Sequence, residues 1–191
     1  DYQEILIKIA PELCQSDDKC LTAARLPHLK HVIKIDDHVQ TGMHRFADLM
    51  PTPTKQQLNQ LQTIAQDLQF DETINIQFTS GTTGNPKGTM LTHNNILNNG
   101  YFVGEAIRLT AQDRVCISVP LFHCFGMVMG NLACITHGSV MVYPSAVFSP
   151  LDSLKAIQQE KCTAAYGVPT MFIAMLEHEQ FDHFDLSSLR T

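Results

Sequence analysis

The sequence has no tryptophan, and aromatic residues make up only 7% of it. Bulk for a core must come from aliphatic and sulfur-bearing side chains, and the apolar share of 44% supplies it. Charge is sparse too, at 17% of residues, with a formal net charge of -6. That leaves no basic excess, so broad electrostatic docking to nucleic acid or anionic lipid is excluded as the main role. A local site for a nucleotide is not excluded. In 191 residues this composition fits one sizeable globular domain or two small ones, not a disordered chain.

No C-x-x-C pair occurs among the six cysteines, Cys14, Cys20, Cys116, Cys124, Cys134 and Cys162. Several sit in apolar runs, where a thiol behaves as a small hydrophobe. The expectation is a reducing, cytoplasmic setting. Of the nine histidines, His28 and His31 stand three apart. No His/Cys set has zinc-site spacing, so no metal site is expected. The most apolar run, residues 124–135, is too short to cross a bilayer, and no signal peptide is visible. The opening Asp1-Tyr2-Gln3-Glu4-Ile5 lacks an initiator Met and reads as entering mid-helix, which suggests a piece of a longer protein.

The first 69 residues read as a partial N-terminal subdomain. Tyr2, Ile5, Leu6 and Ile9 have helical spacing, and residues 31–35 read as a short strand. Pro51 and Pro53 mark a loop. Thr54 with Gln57 then forms a capping box, followed by Leu58, Leu61, Ala65 and Leu68 on one helical face. Residues 70–191 alternate regularly. Strands are expected at 74–78, 115–119, 140–143 and 163–168. Helices are expected from Thr92 to about Arg108, over 125–137 up to Gly138, from the Ser149 cap with Pro150 in its first turn, and from Thr170. The 125–137 helix is apolar nearly all round, which predicts burial. The spacings Gly100/Gly104 and Gly126/Gly130 predict close helix packing. This is the pattern of an α/β fold, a mostly parallel sheet covered by helices on both faces. Such sheets bind ligands beyond the carboxyl ends of their strands, and the glycine-rich stretch after Phe78 is expected there.

That stretch is Thr79-Ser80-Gly81-Thr82-Thr83-Gly84-Asn85-Pro86-Lys87-Gly88. Its glycines let backbone N–H groups turn toward an anion, its hydroxyls add donors, and Lys87 adds a positive charge. A solvated turn is the bland alternative, but it needs no lysine and no such density of donors after an apolar strand. A Walker-type loop also fails. Pro86 stands where its second glycine belongs, and Gly88 stands where its magnesium-binding hydroxyl belongs.

Residues 78–88, continued by Met90-Leu91-Thr92-His93-Asn94-Asn95, closely resemble the signature of the adenylate-forming superfamily. That group includes acyl- and aryl-CoA synthetases, luciferases and the adenylation domains of peptide synthetases. The resemblance implies the N-terminal domain of an acyl-CoA synthetase-like fold. It also implies that residues 79–87 hold the phosphates of ATP, with Lys87 and Thr83 acting on the reacting phosphates.

Pro120-Leu121-Phe122-His123-Cys124-Phe125-Gly126 resembles a second family segment, which places His123 beside the acyl carboxylate. A histidine capping the next helix is the structural alternative. Tyr166-Gly167-Val168-Pro169-Thr170-Met171-Phe172 resembles a third segment, so Tyr166 and Gly167 would line the acyl tunnel. Met127, Met129, Met171 and Met175 are either adaptable pocket or ordinary core.

The activity implied is a carboxylate–CoA ligase that forms an acyl-adenylate from a fatty acid and passes the acyl group to CoA. ATP, Mg2+ and CoA are the implied cofactor and co-substrates. The family's adenine, ribose and magnesium ligands and its catalytic Lys have no counterpart in these residues. A fragment inactive by itself is therefore expected, with the magnesium ligand elsewhere. An aryl-CoA ligase, a carrier-protein-loading domain and a non-catalytic nucleotide-binding module remain as alternatives.

Overall fold

The computed structural model describes residues 2–17, 19–79 and 84–191. The chain divides into two compact units, 1–67 and 68–191.

In the first unit, α1 spans Tyr2–Ile9, and strands β1 (Val32–Lys34) and β2 (Met43–Arg45) pair in parallel. Ala10, Leu13, Leu21, Ala23 and Met43 form its buried core. Helix α2 (Lys55–Asp67) opens with the expected capping box: Gln57 N donates to Thr54 Oγ1, and Thr54 N donates to Gln57 Oε1. Its apolar face of Leu58, Leu61 and Ile64 is nevertheless exposed.

The second unit begins with β3 (Thr73–Thr79) and β4 (Lys87–Thr92), an antiparallel pair. Thr92 caps α3 (His93–Ala106), with Asn95 completing a reciprocal box. Then come β5 (Arg114–Ile117), a π-helix at Phe125–Leu132, α4 (Ala133–His137), β6 (Val140–Val142), α5 (Pro150–Glu160), β7 (Ala164–Tyr166) and α6 (Pro169–Leu176). The strand order is β6-β5-β7, all parallel. Alternation along β5 sends Val115 and Ile117 into a core with Ala133 and Cys134. It sends Cys116 into a second core with Val142, Ile157 and Cys162. Helices thus cover both faces, as the sequence pattern requires.

Two expectations need correction. Lys87 and Gly88, expected in the glycine-rich loop, begin a strand that runs to Thr92. The glycine-rich stretch therefore joins an antiparallel hairpin and does not follow a strand of the parallel sheet. The apolar run 125–137 is a π-helix continued by α4. It is only partly buried, because Ile135 is exposed. A smaller difference lies in α6, which begins at Pro169, one residue before Thr170, and buries Met175 but leaves Leu176 exposed.

Two glycines on α3 explain how closely it packs. A Cβ on Gly100 would lie 2.7 Å from Leu132 Cβ, and one on Gly104 would lie 2.3 Å from the His137 ring. Neither position has room for a methyl group.

Asp113 ties the beginnings of the three parallel strands together. Its carboxylate accepts from Thr110 N (2.8 Å), Thr110 Oγ1 (3.0 Å), Thr163 Oγ1 (2.6 Å) and Arg190 Nε (2.9 Å). Its carbonyl accepts from Val140 N at the start of β6. Arg190 also donates to the carbonyls of Ile107 and Arg108, just beyond α3. The bond from Arg190, helped by the threonine donors, holds the Asp113 carboxyl well below the usual carboxylate range. Because the folded value is the lower one, this stabilisation is present above an ordinary Asp value near pH 4. It is lost as the pH falls further, through the folded value. Asp113→Asn should lower unfolding free energy by roughly 2–4 kcal/mol at neutral pH. Denaturant titrations of both proteins from pH 7 down to pH 3 check this, and the gap between them should narrow below about pH 4.

Candidate active site

The hairpin brings the two ends of the phosphate loop together. Thr79 and Lys87 are register partners, and Thr79 Oγ1 lies 3.5 Å from the Lys87 carbonyl oxygen. Ser80, Gly81, Thr82 and Thr83 lie outside the described residues. Gly84, Asn85 and Pro86 bend the chain back into β4, and all three are exposed. Gly84 has φ of +129°, a backbone region that favours glycine. Lys87 is exposed and forms no ion pair with a described residue, which leaves its ammonium available to an anion. Among the described residues of the loop, Thr79 and Gly84 to Lys87, there is one hydroxyl and one ammonium and no carboxylate.

A cleft of about 720 Å³ lies where β5 and β6 end. Pro120, Leu121 and Phe122 form one wall, Tyr143, Val147 and Phe148 another, and Met171 of α6 contributes to it. This is the carboxyl edge of the parallel strands, where α/β sheets place ligands. The loop 143–148 has no chemical signature in the sequence and was not anticipated as a wall. Pro144, which stops β6, was the one available signal. Of the four methionines read as pocket or core, Met171 lines this cleft and Met175 is buried. Met129 lines a smaller cleft of about 280 Å³, and Met127 is half-buried.

His123 stands just beyond Phe122, before the π-helix. Its Nδ1 accepts from Phe125 N at 3.1 Å, so the helix-entry role is real. Accepting there places the ring proton of the neutral imidazole on Nε2, which leaves one N–H donor for another group. Capping and contact with an acid are compatible uses of the two nitrogens. Tyr166 closes β7, with its ring edge-on to Phe125 at 5.6 Å between centroids. Its hydroxyl is buried and finds no partner among the described residues. Burial pushes the phenol up to about 12. Gly167 follows, and a Cβ there would lie 3.1 Å from the Phe172 ring.

Neither His123, Tyr166 and Gly167 nor loop residues 84–87 line the 720 Å³ cleft. In the smaller cleft, Leu91 of β4 meets Cys124, the neighbour of His123.

The capping bond gives a direct test. His123→Ala should cost about 1 kcal/mol of stability by leaving Phe125 N–H without its acceptor. His123→Asn, which keeps an acceptor on a short side chain, should recover most of that in thermal denaturation.

The profile described as AMP-binding enzyme matches residues 5–191. The YngI protein of Bacillus subtilis (strain 168) is 46% identical over 193 residues, covering 100% of this chain and 34% of its own length. The mitochondrial medium-chain acyl-CoA ligase ACSF2 of Danio rerio is 42% identical over 191 residues, covering 99% of this chain and 31% of its own. The chain thus spans about a third of the length of these relatives. Among solved structures, the anthranilate CoA ligase AuaEII in complex with anthranoyl-AMP superposes with a TM-score of 0.72 at 28% identity. That match covers 87% of this chain and 31% of the other. The chain belongs to the AMP-binding enzymes, the adenylate-forming group whose signature its phosphate loop resembles.

Proposed function

We propose that these residues are the phosphate-holding and acyl-facing part of an AMP-forming carboxylate–CoA ligase. The observation that carries this is the donor-rich hairpin mouth at Thr79 and Lys87, in one unit with a largely apolar cleft at the strand ends. In the proposed reaction the acid's carboxylate oxygen attacks the α-phosphorus of ATP. The acyl–O–P bond forms and pyrophosphate leaves. The thiolate of CoA then attacks the acyl carbonyl and AMP leaves. Residues 79–87, with Lys87 and Thr83 foremost, hold the charge that builds on the departing phosphates. His123, through Nε2–H, borders the acid in this reading, with Tyr166 and Gly167 lining the tunnel behind it. Magnesium does not fit these residues alone. The hairpin mouth has no carboxylate, and no three His, Cys, Asp or Glu side chains converge among the described residues. Its ligands are proposed to lie elsewhere, and these 191 residues alone are proposed to form no acyl-CoA.

The acid proposed is a medium- or long-chain fatty acid. The apolar lining of the cleft and the name of the ACSF2 relative support this. An aryl acid is the second reading, favoured by the likeness to the anthranilate ligase and by Phe122, Tyr143 and Phe148 in the cleft wall. No described helix is long and apolar enough to cross a membrane. A reducing compartment, the cytoplasm, is part of the proposal and suits the buried thiols Cys116, Cys134 and Cys162.

ATP–pyrophosphate exchange by the full-length enzyme, over fatty acids of increasing length and one aryl acid, tests the reading and names the acid. Lys87→Ala should slow that exchange by roughly 1–3 kcal/mol of lost charge-assisted bonding. Unchanged exchange would remove Lys87 from the site. Thr83→Ala should weaken use of every acid about equally. His123→Ala should alter their ranking in kcat/KM, because a contact at the acid is worth roughly 1–3 kcal/mol and varies with acid shape. A common factor for all acids in His123→Ala would place that side chain off the acyl side.

A further inference from the structure

Within the first unit, three electron-rich atoms converge that neither the core nor the phosphate chemistry uses. His31 Nδ1 lies 3.1 Å from His44 Nε2. The main-chain oxygen of Lys19 lies 3.2 Å from the first nitrogen and 3.0 Å from the second. The triangle is nearly equilateral. If both ring nitrogens carry a proton, two N–H groups aim at one oxygen from adjacent directions and their hydrogens crowd each other. If only one does, its N–H is shared between the other nitrogen and the carbonyl oxygen as a three-centre bond. With neither ring nitrogen protonated on this side, all three atoms present a lone pair to one point, where a cation can take the place of that shared proton.

The distances point to a class of ion. With ligands about 2.1 Å from the metal, donors at right angles stand about 3.0 Å apart, and donors at the tetrahedral angle about 3.4 Å apart. The observed edges of 3.0 to 3.2 Å fit one face of an octahedron better than an edge set of a tetrahedron. Neutral imidazole selects borderline transition metals, whereas magnesium takes oxygen ligands.

The backbone holds the donors in place. His44 in β2 is the register partner of Ile33 in β1, and His31 stands two residues before Ile33 on the same side of the strand. Lys19 has φ of +57°, a left-handed conformation uncommon for a residue with a side chain. His31 is exposed, which leaves one side open to solvent ligands.

We propose that the Lys19 carbonyl oxygen, His31 Nδ1 and His44 Nε2 bind one divalent transition-metal ion of the borderline class, with water completing a six-coordinate shell. Two side chains and one main-chain oxygen make an exchangeable site of modest affinity, separate from any magnesium the ligase reaction uses.

Ni2+ alone is the probe, since it takes imidazole and oxygen ligands, and it is added after alkylation of the exposed thiols Cys14, Cys20 and Cys124, which would compete for it. Calorimetric titration of the 191-residue chain should show one tightest class of site. In NMR spectra of the imidazoles, substoichiometric Ni2+ should broaden His31 and His44 before the other histidines. His31→Gln and His44→Gln should each weaken binding by about tenfold or more. His28→Gln, three residues from His31, should leave it unchanged. Wild-type affinity in either His31→Gln or His44→Gln, or an equal loss in His28→Gln, overturns the proposal. Circular dichroism of the metal-free variants checks their folding. Should His44→Gln fail to fold, the exposed His31 substitution and the NMR broadening order decide.

Discussion

The buried carboxylate of Asp113 sets where the parallel strands begin. A charge in that position is tolerable only if its lone pairs are met, and four donors meet them. Those donors come from the turn before β5, from the residue before β7, and from Arg190 far along the chain. Ser139, just before β6, adds a bond to the Thr110 carbonyl beside them. Once the amino ends of β5, β6 and β7 are pinned at one place, their carboxyl ends must emerge together as well. The cleft at that edge is a consequence of this. Its walls are loops, but their spacing follows from a hydrogen-bonded cluster at the opposite end of the sheet.

The two halves of the candidate site differ in how they are built. The proposed acyl side hangs from the sheet: Tyr166 ends β7, Phe122 and His123 follow β5, and the π-helix is braced by Phe125 against Tyr166. Gly126 lets the π-helix approach Pro120 closely, and Phe125 and Tyr166 are held by packing, whereas Phe122 and His123 are exposed. The phosphate side is a hairpin joined to α3 through the Thr92 cap.

Much of this was legible in the sequence where one local force dominates. The Thr54 and Thr92 caps, the Ser149 cap with Pro150, and the strand from Val115 each follow from a single rule, and the structure contains them. The readings fell short where two signals competed. Pro86 and Gly88 read as loop, yet Gly88 sits opposite Phe78 in the ladder, where the missing side chain makes room for the ring. The strand β4 was hidden for that reason. The run 125–132 is apolar all round, so it has no period to tell an α-helix from a π-helix. The loop 143–148 acquires its role only from the strands that deliver it. His123 was read as either cap or contact, and the geometry lets its two nitrogens serve both. His31 and His44 lie thirteen residues apart and meet only because two short strands pair in parallel.

The hairpin has a thermodynamic side that its shape alone does not express. It has two strands, and no residue of either is buried. A two-stranded ribbon is marginal by itself in water, so its amides can exchange with solvent through an opening that leaves the three-stranded sheet intact. In the proposed reading the phosphate loop is mounted on this ribbon. An anion held between Thr79 and Lys87 would bind only its closed form, so occupancy of the loop and amide protection along β3 and β4 would rise together.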